Sequence, residues 1–429
     1  MIGEEVGRGD LRRAGYAEPV EGAITRRLGL ADAVVIGLGS MIGAGVFAAF
    51  APAAAAAGTG LLAGLVIAGV VALCNATSSA QLAAQYPVSG GTYVYGREVL
   101  GPWPGFFAGW AFIVGKTASS AAMALTFAAY AVPEPWVKPV AVAAVAALTF
   151  VNTRGVTRTA AVTRVLVAVT LVALAVVVAL GVAAPSQPEA AAADWNPLGV
   201  LQAAGFLFFA FAGYARIATM GEEVRTPEVI IPRAITISLG VVLGIYVVVG
   251  LAALHALGPD GLAGSVAPLA DVAAVTGAAW AVPVVKVGAA TAALGALLAL
   301  VAGIGRTTLA MARTGDLPGW LAALHPRFEV PYRAELVLGA VVCGLVLLTD
   351  LRGAIGFSSF GVLLYYFIAN LAAWRQDPAR RRYPRVLPVV GALGCLALAA
   401  SLPVVSVAGG LAVLAAGLLY RLLRLRAVR

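Results

Sequence analysis

Twelve apolar stretches dominate this chain, each close to the roughly 20 residues that a helix needs to cross a bilayer. They run over 30–57, 60–84, 103–131, 136–151, 161–183, 199–221, 233–256, 281–311, 334–349, 353–374, 386–402 and 405–423. In lipid the backbone amides and carbonyls have no water to bond, so such stretches fold as helices that satisfy their own backbone. Only 11% of the 429 residues are charged, against about 25% in ordinary soluble domains, and mean hydropathy is +0.94. The predicted fold class is an all-α polytopic membrane protein of about twelve transmembrane helices. Residues 1–29 are polar and basic and read as a tail. The first apolar run is too long for the core of a cleaved signal peptide, and many more runs follow it.

The positive charges give an orientation. Of the 29 basic residues, all but Lys116, Lys138, Arg216, Lys286 and Arg352 fall in the two tails or at loops following even-numbered spans. Cytoplasmic loops carry such an excess, so both termini are expected in the cytoplasm and the protein in the cytoplasmic (inner) membrane. The net charge of +9 is then a topology signal, and no nucleic acid is expected as a partner. Cys74, Cys343 and Cys395 are scattered through apolar spans and form no metal or redox motif. No metal and no cofactor is expected. No nucleophile–base set, metal cluster or phosphate loop points to an enzyme.

The first apolar stretch contains "GLGSMIGAGVF", Gly37 to Phe47. Each glycine costs about 1 kcal/mol relative to alanine in a helix interior, so four within eleven residues need a reason. One reading is a close-packing helix face. The other is a broken helix, tolerated at membrane depth only where it lines a cavity or is buried in protein. The glycines and Ser40 go round the helix rather than along one stripe, which favours the break. Five spans later comes "FFAFAGYAR", Phe208 to Arg216, with Gly213 flanked by aromatics. Paired interruptions in corresponding spans of two halves mark the binding site of inverted-repeat transporters.

Four motifs then carry a resemblance. They are "GSMIGAGVF" in span 1, "PVSGGTYVYGREVLGPWPGFFAGW" from Pro87 to Trp110, "FFAFAGYARIATMGEEVRTPEVIIPRAI" from Phe208 to Ile235, and "RTTLAMARTGDLPGWLAALHPRFEVPYRAEL" from Arg306 to Leu336. In this order, with twelve spans, the chain resembles the amino acid–polyamine–organocation superfamily of permeases over essentially its whole length. The resemblance implies an amino acid transporter working by alternating access. It also implies a five-plus-five inverted repeat with helices 1 and 6 broken, and two added C-terminal helices. The corresponding divisions are 1–29 for the tail, 30–183 and 184–374 for the repeats, and 375–429 for the last two helices and basic C-terminus.

A zwitterionic substrate suits such breaks. The amides of Ala44, Gly45 and Val46, at the start of the second half of span 1, are expected to bind its carboxylate at the positive end of the helix dipole. Carbonyls near Met41 and Ile42, with those of Phe209, Phe211 and Ala212, would accept from its ammonium. Gly43, Gly45 and Gly213 would let the ligand approach the backbone. Relatives often have a hydroxyl residue where Ala44 stands, so that contact is missing here. Phe209 or Phe211 is the candidate aromatic gate or a packing residue, and Ser40 tunes specificity or bonds within its own helix.

A charge at mid-bilayer costs about 2.5–3.5 kcal/mol on insertion scales, so Lys116 and Arg216 call for partners. Lys116 shares a helical face with Ser119, Ser120 and Met123 and is a candidate proton carrier, or a lysine satisfied by carbonyls or water. Arg216 could hold an inner gate with Glu222 or Glu223. Proton-coupled relatives often carry a span 5 lysine near a cation site between spans 1 and 8, but alignment places Thr170 there. Coupling through Lys116, sodium coupling and exchange stay open, with proton coupling or exchange favoured because span 8 has few hydroxyls. By this segmentation no Asp or Glu falls in the interior of any span, so a neutral amino acid is the expected substrate, with an acidic one as a further option. The alternatives are a cationic amino acid or polyamine antiporter and a transporter-like sensor. The expected partners are thus an amino acid, protons as one coupling option, and the lipid bilayer; oligomeric state is left open.

Two further motifs read as structural. "EEVRTPEVIIP" suits a short cytoplasmic helix capped by Thr226, and "RTGDLP" reads as a tight turn.

Overall fold

The structure is a computed structural model that describes residues 28–86, 90–155, 160–185, 196–218 and 223–428. Among these residues nine helices are long and apolar enough to cross a membrane. The shorter helices Val137–Thr153, Tyr332–Leu348 and Val386–Ser401 stand where spans 4, 9 and 11 are expected.

Span 1 is assembled from Leu30–Met41, Ala44–Ala48 and Phe50–Ala57. Spans 2, 3 and 5 are Leu61–Gln85, Pro102–Ala131 and Ala160–Ala183. Span 6 begins at Pro197, where the Asn196 side chain accepts from the Leu198 amide at 3.1 Å, and runs in pieces to Ala218. Span 8 is Ala281–Arg313, span 10 Leu351–Arg375 and span 12 Val404–Val428. Span 10 is capped by Asp350, which accepts from the Gly353 amide at 2.7 Å.

Several elements depart from expectation. Pro227 does not open a separate short helix: the helix it starts runs on through Pro232 into span 7, and beyond a non-helical Gly258 (φ 66°) a further helical stretch reaches Gly264. Thr226 occupies the N-cap position but makes no side-chain cap bond. Segments read as loop contain the helices Thr92–Leu100 and Pro268–Val275. The apolar runs ended where charge began, but a helix also extends beyond the hydrocarbon when its polar end can bond to itself or to water. Glu335 lies in the first turn of span 9 with 2% exposure, so an acidic side chain is buried within a span after all.

Spans 3, 8 and 10 form the middle of the bundle, with broken spans 1 and 6 packed among spans 2, 5, 7 and 10. Their shared core is rich in alanine and aromatic residues, whereas large aliphatic side chains such as Val172, Leu251 and Leu393 point outward. That inversion is expected where the solvent is lipid. At the arginine-rich end, the amide of Leu28 donates to Glu223 O and that of Arg225 to Leu28 O, tethering the entry to span 1 to the exit from span 6.

Candidate functional site

The span 1 helix stops at Met41. Ile42 leaves helical geometry (ψ 62°), its amide still bonded to Leu38 O at 2.7 Å, and Gly43 turns the chain with φ −109° and ψ −144°. Ala44 restarts the helix, and bonds from Ala49 N to Gly45 O and from Ala53 N to Ala49 O carry it on to Ala57. Ala44, Gly45 and Val46 therefore form a first helical turn, whose amides have no acceptor within their own helix. Residues 41–50 are all buried.

Span 6 breaks differently. Its helix ends at Phe211, and Ala212–Tyr214 form one 3₁₀ turn before Ala215–Ala218. The two interruptions touch. A Cβ on Gly213 would fall 2.0 Å from Ser40 O, and one on Gly45 would fall 2.5 Å from the Ala210 Cα. Gly43 and Gly39 abut other neighbours, Ala296 of span 8 and Val167 of span 5. Break and close packing, posed as alternatives from the sequence, are thus both present.

The carbonyls freed by the breaks already have donors. The Tyr246 hydroxyl, from span 7, lies 2.6 Å from Met41 O and 3.1 Å from Ala210 O, bridging the two broken spans. Ala212 O accepts from Lys116 Nζ at 3.1 Å and from the Tyr366 hydroxyl at 3.3 Å. Phe209 O accepts from the Ala212 amide. Beyond the break, the Tyr130 hydroxyl donates to Phe47 O at 2.9 Å and accepts from the Leu269 amide at 3.2 Å.

The gate candidates separate. Phe211 is fully buried and packs its ring on Tyr246 with centroids 5.2 Å apart. Phe209 instead belongs to a cluster with Ala48, Ala121, Ala122 and Leu297 of spans 1, 3 and 8. Ser40 donates to Ile36 O at 2.8 Å, within its own helix. Ser119 meets Ser358 of span 10 at 2.6 Å, and Ser120 donates to the Lys116 carbonyl.

Thr170 lines a small pocket beside the span 1 break together with Gly39, Ile42, Thr163 and Thr291. Thr170 and Thr291 each donate to a carbonyl of their own helix, Leu166 O at 2.8 Å and Val287 O at 2.9 Å. Thr291 thus brings one span 8 hydroxyl to this pocket beside two from span 5.

Charged residues gather at the arginine-rich end. Arg216 pairs with Glu223 at 3.6 Å, whereas Glu222 lies outside the described residues. Asp32 of span 1 pairs with Arg164 of span 5. "RTGDLP" holds more than a turn: Asp316 accepts from Tyr93 at 2.8 Å, from Arg97 at 3.0 Å and from Arg421 of span 12 at 2.7 Å. The Arg421 guanidinium also lies over Trp103 and Phe106, 4.8 and 4.6 Å from their centroids. Burial pushes the Tyr93 phenol above its ordinary range, so it stays a donor to Asp316.

The amino acid permease family model matches residues 28–422 of this chain. An uncharacterized transporter of Mycobacterium tuberculosis is 58% identical over 411 residues, covering 95% of this chain and 93% of its own. The branched-chain amino acid permease BcaP of Bacillus subtilis is 26% identical over 422 residues, 88% of each chain. Cationic amino acid transporter 7, chloroplastic, of Arabidopsis thaliana is 29% identical over 377 residues, 80% of this chain and 64% of its own.

Proposed function

The chain belongs to the amino acid permease family, and on that premise we propose that it carries a neutral amino acid across the cell membrane by alternating access. The observation that carries this reading is the contact of the two interrupted spans at Gly213 and Ser40, with the first-turn amides of Ala44, Gly45 and Val46 beside it. A carboxylate binds those amides, and the backbone carbonyls around the 3₁₀ turn of span 6 receive the ammonium. The halves 30–183 and 184–374 then rock about this point as a five-plus-five repeat.

The relatives' names include both a branched-chain and a cationic amino acid carrier. Lys116 favours the first kind. Lys116 is 6% exposed, and its ammonium bonds to Ala212 O at the span 6 break with no carboxylate bonded to it among the described residues. A cationic substrate side chain would meet another cation there. For coupling, Lys116 offers a group that can hold a proton, so proton coupling or exchange is the primary reading. The pocket of Thr163, Thr170 and Thr291 supports sodium as the second, since freed backbone and hydroxyl oxygens suit a small cation. The bias of arginines supports a cytoplasmic location for both termini.

Uptake of a labelled amino acid panel by proteoliposomes, with a pH gradient, a sodium gradient or neither, tests the whole reading. Saturable uptake of alanine or leucine, raised by the pH gradient or by trans-loaded amino acid, is expected. Competition in which lysine or putrescine beats both overturns the neutral assignment, and absence of any uptake overturns transport.

A further inference from the structure

The Lys116 ammonium occupies a place where, on the reading above, a substrate ammonium should sit. Its acceptor, Ala212 O, belongs to the one 3₁₀ turn that interrupts span 6. A carbonyl offers two lone pairs. Tyr366 takes one at 3.3 Å and Lys116 the other at 3.1 Å, so the oxygen is full. Met41 O and Ala210 O, the neighbouring acceptors, share the Tyr246 hydroxyl. Of these protein donors, only Lys116 is an ammonium like the ligand's own.

Several charges on the elements around span 3 have partners of their own. Arg97, from the helix preceding span 3, and Arg421, from span 12, bind Asp316. Lys138 of span 4 donates to Leu347 O at 2.9 Å, and Asp32 of span 1 binds Arg164. Glu335 of span 9 packs against Gly305 of span 8, Arg306 is a further cation on span 8, and Arg216 of span 6 pairs with Glu223. The titratable neighbours at the Ala212 carbonyl are phenols: Tyr366 and Tyr214, stacked with centroids 5.0 Å apart. Among the described residues no carboxylate therefore bonds to the ammonium to hold its charge when a second ammonium arrives.

We propose that Lys116 is a built-in occupant of the substrate's ammonium subsite, which the substrate displaces at the cost of one proton. In the empty protein Lys116 holds Ala212 O as –NH₃⁺. The entering substrate ammonium takes that oxygen, and the displaced amine passes one proton to water, leaving –NH₂. Charge at the ammonium subsite is conserved, since one ammonium replaces another, and the released proton leaves the site neutral around the bound zwitterion. The proposal rests on the amino acid reading and adds to it a coupling step, in which each binding event releases a proton. It also makes Lys116 a specificity-determining residue, because a substrate lacking an α-ammonium cannot displace it.

The test uses purified full-length protein and each labelled proteinogenic L-amino acid, between about pH 6 and 8, where a free amino acid keeps its zwitterionic form. Proton release is read with an indicator in weak buffer. For the wild type, affinity is expected to rise toward tenfold per pH unit, with close to one proton released per ligand bound. Lys116→Met is expected to bind more tightly at pH 6 and to lose both the pH slope and the proton release. Lys116→Arg, which cannot give up its proton, is expected to bind at least tenfold more weakly throughout. Binding by the wild type without proton release overturns the proposal whatever the variants do, as does a Met variant that keeps the slope. If no amino acid binds the wild type, the amino acid reading itself falls and takes this proposal with it.

Discussion

Gly213 of span 6 lies directly against the Ser40 carbonyl of span 1: a Cβ at position 213 would sit 2.0 Å from that oxygen and 2.7 Å from the Met41 nitrogen. Neither atom can move aside, because both belong to the backbone. The two interruptions therefore meet in one contact.

Gly213→Ala is expected to separate the broken spans while leaving the remaining helices inserted. Overpacking of this kind costs about 1–3 kcal/mol. Uptake should fall at least tenfold and the detergent-solubilised protein should melt at lower temperature. Wild-type uptake by the alanine variant would show that the contact is not needed for transport.

Tyr246 ties the breaks together through one hydroxyl. Tyr246→Phe leaves Met41 O and Ala210 O with one donor fewer in a buried site, a loss of about 1–3 kcal/mol. The expected outcome is a lower melting temperature and altered transport rate, with the protein still inserted. Tyr130→Phe, which loses the bond to Phe47 O, provides a comparison at the far end of the restarted helix. A Tyr246 variant indistinguishable from wild type in both readouts would remove the bridge from the account.

Asp316 joins the helix Thr92–Leu100 to span 12 through Arg97 and Arg421. With both Asp316 and the Arg421 side chain 8% exposed, removing the carboxylate strands a buried cation, and breaking such a pair costs about 3–5 kcal/mol. Asp316→Asn should be strongly destabilised in thermal melts. Adding Arg421→Met to it should recover part of the loss, because the stranded charge goes too. Simple additivity of the two substitutions would contradict the pairing.

The pocket of Thr163, Thr170 and Thr291 separates the coupling routes. If protons or exchange drive transport, replacing sodium by potassium leaves uptake unchanged, and Thr291→Val changes it less than twofold. A requirement for sodium that Thr291→Val abolishes would shift the assignment to that pocket.

The parts legible in the sequence were those written locally. Helices announce themselves through runs of apolar residues, and the breaks through glycines that a helix would otherwise exclude at Gly43 and Gly45. The partners were not legible, because they come from distant segments: Lys116 meets Ala212 across 96 positions and Tyr246 meets Met41 across 205. A tyrosine within an apolar span looks the same whether it faces headgroups or bridges two carbonyls. Asp316 read as a turn residue because Arg97 and Arg421 are far from it in the chain. Glu335 stands at the second position of the 334–349 run and is nevertheless 2% exposed, because neighbouring helices that hydropathy cannot show cover it, and span 7 runs through Pro232.

The central claim is that backbone freed at the span 1 break binds the substrate, and Gly45 tests it most directly. A Cβ there meets the Ala210 Cα at 2.5 Å, and the amide of Gly45 is one of the three assigned to the carboxylate. The measurement is equilibrium binding of labelled alanine and leucine to wild-type, Gly43→Val and Gly45→Val proteins, each checked for insertion and monodispersity. Binding by the wild type and its loss in both inserted variants are expected. Wild-type affinity in the inserted valine variants would contradict the claim and leave the break as packing alone.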